Sequence, residues 1–225
     1  MFRRALFILL VSLPAFTQQL VPNLGSTYSI TDVQLTGTAT VFVGADSQSA
    51  AITLTARRDG RSRIEFGSRG ELRINSASDP QSFYRAEGSW HESPIHNSWT
   101  EANWFFPALF AVVNSQERSV AVESVDSNVL RTYFSISGQK PSQVELIKNL
   151  SATEYVLDAS GLITVLRYNT HPDDDFGTNI PVEVRFSDYR DISGVKVPFR
   201  IQRFLSGSPE LDITVSSVAV NPGIS

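Results

Sequence analysis

The 225-residue chain contains no cysteine. That excludes disulfides, thiolate nucleophiles and Cys-ligated metal. It also excludes a lipid-bearing cysteine behind an export signal. Histidine is scarce, with three residues in all, and 19 Lys and Arg stand against 23 Asp and Glu without any basic run. Such a chain lacks the positive surface from which nucleic-acid affinity mainly comes, and an anionic membrane would not attract it. No segment approaches the ~20 apolar residues that cross a bilayer. Low-complexity tracts and internal repeats are absent too.

The start of the chain carries a different signal. Arg3 and Arg4 precede the apolar run Ala5 to Leu13, Pro14 ends it, and Ala15-Phe16-Thr17 before Gln18 forms a small-residue cleavage site. Residues 1–17 are therefore expected to be a signal peptide, with an uncleaved anchor as the alternative. The mature protein would then be periplasmic or secreted, with 17 basic residues against 23 acidic ones. Without disulfides it must be held by its core, and 41% hydrophobic content suffices for that.

Residues 18–31 read as a flexible lead-in and 32–225 as one β domain. Ile52, Leu54 and Ala56 alternate with Thr53, Thr55 and Arg57, the period of a half-buried strand. Asp59-Gly60 marks a tight turn, and Ile64 and Phe66 continue on the inward face. Ser68-Arg-Gly70 is a further turn, and Phe83 to Trp90 reads as one strand. Val120 onward, Val129 to Ile136, Tyr155 to Leu157 and Leu162 to Tyr168 return to alternation. In the last three strands Val182, Val184, Phe186, Val195, Val197, Phe199 and Ile201 should face the core, and Glu183, Arg185, Lys196 and Arg200 should not. Two segments break the pattern. Trp99 to Val113 is too apolar and too long for an edge strand, so it predicts two helical pieces divided near Pro107. Pro141 to Leu150 predicts a helix with Val144, Ile147 and Leu150 on one face. The expected fold is mainly β: a curved antiparallel half-barrel of about ten or eleven strands, with two short helical insertions on its concave side.

The candidate site is aromatic. Trp90, Trp99, Trp104, Phe105, Phe106, Leu109 and Phe110 gather all three Trp of the chain. They would form an apolar lid over a ligand cavity, or pack as ordinary core. His91-Glu-Ser-Pro-Ile-His96 has one residue too many for a zinc-protease motif and holds a helix-breaking Pro94, so it reads as a loop. His171-Pro-Asp-Asp-Asp175 lacks the spacing of a calcium loop and reads as a solvated hairpin. Ser137-Gly-Gln-Lys140 matches Ser-x-x-Lys without the accompanying Lys-Thr-Gly. No metal or other cofactor is expected, and no enzyme activity.

Leu157-Asp-Ala-Ser-Gly-Leu-Ile-Thr-Val-Leu-Arg-Tyr and Tyr189-Arg-Asp-Ile-Ser-Gly-Val-Lys-Val-Pro-Phe-Arg-Ile resemble strand–turn–strand segments of the LolA/LolB-type lipoprotein carriers. Trp104-Phe-Phe-Pro-Ala-Leu and His171-Pro-Asp-Asp-Asp resemble segments of uncharacterised bacterial secreted proteins. The resemblance implies a half-closed barrel with an apolar concavity, and a lipid or lipoprotein as partner. It brings no catalytic residue. Two functions follow as expectations: a carrier of an amphiphile, or a non-catalytic envelope module whose concavity is filled by its own side chains.

Overall fold

The computed structural model describes residues 29–76, 78–116 and 120–224. The expected signal peptide, and the lead-in up to residue 28, lie outside them. Ile30, at the end of that lead-in, is fully buried.

The thirteen strands among the described residues belong to one sheet in which each neighbouring pair is antiparallel. They are β1 (Asp32–Val43), β2 (Asp46–Arg57), β3 (Arg61–Phe66), β4 (Arg69–Ile74), β5 (Gln81–Ala86), β6 (Ser89–Glu92) and β7 (Val120–Asp126). Then follow β8 (Val129–Phe134), β9 (Thr153–Leu157), β10 (Ile163–Thr170), β11 (Ile180–Ile192), β12 (Val195–Leu205) and β13 (Ser208–Val220). The order across the sheet is β6-β5-β4-β3-β2-β1-β13-β12-β11-β10-β9-β8-β7. The chain thus builds outward from β1 to one edge, crosses to the other edge, and builds inward until β13 pairs with β1. The crossing consists of a 3₁₀ turn (Ile95–Asn97), helix α1 (Ser98–Glu101) and helix α2 (Pro107–Gln116).

Alternation fixes the faces as the sequence predicts. Ile52, Leu54 and Ala56 are buried, as are Val182, Val184, Phe186, Val195, Val197, Phe199 and Ile201. Arg185 and Arg200 are exposed, and Glu183 and Lys196 half-exposed. Register shifts at Thr36/Gly37, Ile163/Val165 and Arg203/Phe204 mark bulges that bend the sheet. At the first of these, Gly37 passes so close to β13 that a Cβ there would lie 2.1 Å from the Thr214 carbonyl oxygen. The total bend is large. Asn114 on α2 accepts a hydrogen bond from Asn75 Nδ2 at 3.0 Å, and its own Nδ2 donates to the Tyr155 hydroxyl at 2.9 Å. Asn75 directly follows β4, and Tyr155 lies on β9, eight spacings away in the sheet order. A flat sheet would separate those strands by about 38 Å, so one amide can touch both walls only because the sheet curls into a half-barrel.

Three features differ from the sequence reading. Phe83 to Trp90 is not one strand but the β5–β6 hairpin, turned at Glu87 (φ 53°) and Gly88 (φ 82°). Splitting it raises the strand count, and two residues with positive φ suit a hairpin's twist. The turn expected at Ser68-Arg-Gly70 falls earlier, because β4 already begins at Arg69. Only the first helical insertion crosses the concave face. The second, α3 (Pro141–Ser151), lies along the β8–β10 side of the sheet. There its Lys148 stands 4.2 Å from the Tyr133 ring centroid and 3.7 Å from Glu123. By strand register Tyr133 and Glu123 belong to the convex face.

Candidate functional site

The crossing segment is built to be buried. From Glu101 to Val112 every residue is buried. A helix apolar on all sides belongs in an interior, and Ala108, Leu109, Phe110, Ala111 and Val112 make α2 such a helix. Pro107 opens α2, where its missing N–H costs nothing, and the first helical bond runs from Phe110 N to Phe106 O at 3.1 Å. The break between the helices falls at Asn103, whose φ is 60°. Asn adopts this left-handed conformation more readily than most residues.

Polar anchors fix the strap at its start. Asn97 pairs with the His171 backbone in both directions, its Nδ2 donating to the carbonyl at 2.9 Å and its Oδ1 accepting from the N–H at 3.0 Å. Trp99 Nε1 donates to Ser76 O at 2.8 Å, and its ring packs against Phe134. Glu101 then reaches both walls of the half-barrel. Its carboxylate binds Arg73 of β4 at 2.8 Å and Arg203 of β12 at 2.7 Å. Arg73 also holds Glu71 at 3.2 Å, and Arg203 holds Glu210 at 2.7 Å. Burial alone would push the Glu101 carboxyl up, but Arg73 and Arg203 outweigh it and hold it below the usual range. Glu210 goes the other way: burial raises it, more than Arg203 offsets.

The strap fills only part of the concavity. Phe105, Phe106, Leu109 and Phe110 are fully buried within the core, with Phe110 tilted against Tyr155. Next to them, over β2 to β5, lies a pocket of about 610 Å³. Its carbon surface comes from Val41, Ile52, Ile64, Phe66, Leu211 and Trp104, and its polar side from Glu71, Glu101, Arg203 and Glu210. Tyr84 lines the rim and stacks on His91.

Of the seven predicted site residues, Trp104 alone lines this pocket. Phe105, Phe106, Leu109 and Phe110 form the plug beside it. Trp99 is half-buried near the strap's start. Trp90 lies elsewhere. It pairs with Arg85, which pairs with Gly70, which pairs with Glu65. This row lies on the convex face, because Glu65 neighbours Ile64 and Phe66 and so points the opposite way. There Trp90 is 38% exposed between the guanidinium groups of Arg63 and Arg85. Nearness in sequence to the other aromatics is therefore misleading for Trp90, since a turn and a change of face intervene.

The other motifs resolve into structural roles. His96 turns away from His91 and toward the His171 and Phe176 rings. Asp175 organises its own loop, accepting from Gly177 N and Thr178 Oγ1. Lys140 caps α3, its N–H donating to the Gln143 side chain. Among the described residues no group of three or more His, Asp or Glu could hold a metal ion.

The half-barrel and its helical insertions form a LolA-like fold. Solved structures of this fold cover nearly the whole chain at low identity. A DUF1329 family protein from Desulfovibrio piger aligns with a TM-score of 0.60 at 12% identity, over 93% of this chain and 94% of that one. A domain assigned to outer membrane lipoprotein sorting from Vibrio parahaemolyticus gives 0.56 at 9%, over 93% and 91%. A LolA superfamily protein from Nitrosomonas europaea gives 0.55 at 10%, over 91% and 93%. Neither a protein-family model nor a curated protein sequence matches the chain.

Proposed function

We propose that the protein is exported through residues 1–17 and that residues 32–225 act as one binding domain that holds the apolar part of an amphiphile, a lipid or the lipid portion of a lipoprotein. The observation that carries this reading is the carbon-lined pocket of about 610 Å³ beside Trp104. Its size suits a small-molecule site, and its lining combines an apolar wall with charged groups, Glu71, Glu210 and Arg69 among them. The similar structures include a domain assigned to lipoprotein sorting, which supports a carrier role. The fully buried plug of Phe105, Phe106, Leu109 and Phe110 favours the envelope-module reading for the other half of the concavity.

The test is titration of the protein with a single-chain fatty acid or detergent below its micelle concentration. Native mass spectrometry follows binding, and tryptophan fluorescence of a Trp90→Phe, Trp99→Phe variant reports on Trp104. Saturable binding of one ligand is expected. Ile64→Glu, which puts a carboxylate on the half-buried pocket floor, should abolish it while the protein stays folded. Val41→Glu at the mouth serves if Ile64→Glu does not fold. Absence of bound ligand at every sub-micellar concentration would refute the proposal.

A further inference from the structure

We infer that the pocket selects an amphiphile with a zwitterionic head, its amine seated between Glu71 and Glu210 and its anionic group on Arg69. This inference rests on the amphiphile reading above and deepens it.

The polar wall is a chain of alternating charge, Glu71–Arg73–Glu101–Arg203–Glu210, with contacts of 3.2, 2.8, 2.7 and 2.7 Å. It begins and ends in a carboxylate. Three anions share two guanidinium groups in direct contact, and Arg69, on the same face as Glu71, makes no ion pair with either end among the described residues. The inner members are withdrawn, with side-chain exposures of 16% for Arg73, 8% for Glu101 and 14% for Arg203. The ends are open, 48% for Glu71 and 33% for Glu210. Both ends line the pocket, one from β4 and the other from β13. Burial raises the Glu210 carboxyl, and the negative charges of Glu101 and Glu71 add to that push. A third cation between the two open ends would complete the alternation, and the ammonium group of a ligand would supply it. Tyr84 stands directly opposite Glu71 in the strand register, and Phe66 and Trp104 line the same space. Trp104 already carries the Arg203 guanidinium over its ring at 5.5 Å, so cations and aromatic faces meet in this part of the pocket.

Arg69 supplies the other half. It lies two residues before Glu71 on β4 and so shares its face at roughly 6–7 Å along the strand. It lines the pocket mouth, is exposed, and makes no ion pair among the described residues. Of the remaining charged lining residues, Arg85 is engaged with Glu65, and Glu87 stands exposed on the hairpin turn. An amine and an acidic group joined by a short linker would match the Glu71–Arg69 pair.

The experiment compares four amphiphiles of one chain length at pH 7: a lysophosphoethanolamine, an alkylamine, a monoacylglycerol and a fatty acid. Binding is measured by native mass spectrometry and calorimetry below the micelle concentrations. The zwitterion should bind about tenfold more tightly than the monoacylglycerol. Glu71→Gln, at the more open end of the chain, should weaken the zwitterion and the amine about tenfold and leave the monoacylglycerol unchanged. Arg69→Gln should weaken the zwitterion and the fatty acid alone. Equal affinity for all four heads would overturn this inference and leave the amphiphile reading standing. Failure of all four to bind would remove both.

Discussion

Replacing Glu101 by Gln tests the strap's anchorage directly. The substitution keeps the shape and removes the charge that joins Arg73 to Arg203. One Gln oxygen can still accept from one guanidinium, but its NH₂ group then faces the other. Breaking a buried ion pair from one side costs about 3–5 kcal/mol. The lower end applies here, because Arg73 keeps Glu71 and Arg203 keeps Glu210. The expected loss is about 3 kcal/mol, which for a protein of this size lowers Tm by roughly 6–12 °C. Urea unfolding followed by tryptophan fluorescence should show a lower midpoint at unchanged slope. The pH dependence gives a second readout. Folding holds the Glu101 carboxyl below its ordinary range, so its stabilisation is complete above the unfolded value near ~4.3. It is lost as pH falls through the lowered folded value. The acid limb of the stability curve should therefore be flatter in Glu101→Gln. Glu183→Gln serves as the control. It removes ion pairs to Arg167 and Arg185 on the convex face, where such pairs contribute about 0–1 kcal/mol. Equal effects of the two substitutions, or a loss below about 1 kcal/mol for Glu101→Gln, would refute the clamp.

Three further outcomes are expected. Phe199→Ala should cost about 3–5 kcal/mol in chemical denaturation, because the ring is 6% exposed and packs in the core. Gly60→Ala should cost at least about 2 kcal/mol, since φ is 86° there and a Cβ would meet the Asn75 carbonyl oxygen at 2.3 Å; an unchanged melting temperature would refute the close approach. His171 should titrate below its ordinary value near ~6.5 in an NMR pH series. Burial lowers it against the opposing bond to Asn179, so its stabilisation is full above that value and fades as pH falls through the lowered one.

Much of the fold is legible in the sequence because one wet face and one dry face impose strict alternation. The sets Ile52-Leu54-Ala56 and Val195-Val197-Phe199-Ile201 can be read residue by residue for that reason. The β5–β6 hairpin escapes because Glu-Gly is a weak turn signal, and the run on either side of it stays aromatic. Missing that turn also hides the face of Trp90. The ionic clamp leaves a fainter trace. Glu101 is the only charged residue between Trp99 and Val113. Arg203 occupies the next inward position after Val195, Val197, Phe199 and Ile201, where the pattern demands an apolar side chain. An isolated charge in an apolar segment, and an inward charge on a strand, point to each other once burial demands pairing. Nothing in the spacing tells that Arg73, 130 residues before Arg203, completes the set.

The topology explains why the aromatic segment exists, and why it settles the choice between lid and plug only in part. A sheet that grows from its centre to one edge must carry the chain to the opposite edge before it can grow inward again. In a half-barrel the short route runs through the concave side, so residues 95–116 must be apolar enough to live there whatever the protein binds. Their large aromatics are thus a demand of the crossing, and Phe105, Phe106 and Phe110 satisfy it as core. The crossing does not need to cover both halves of the concavity, however. Over β2 to β5 the strap offers Trp104 and Glu101 to the pocket, and the strands offer Ile52, which is buried, and Ile64 and Phe66, which are partly buried against the core. The apolar surface of Ile64 and Phe66 that stays in contact with water would be removed from it by the hydrocarbon chain of the proposed ligand. The half over β2 to β5, beside a charged wall that the strap itself completes through Glu101, is where the proposed ligand would sit.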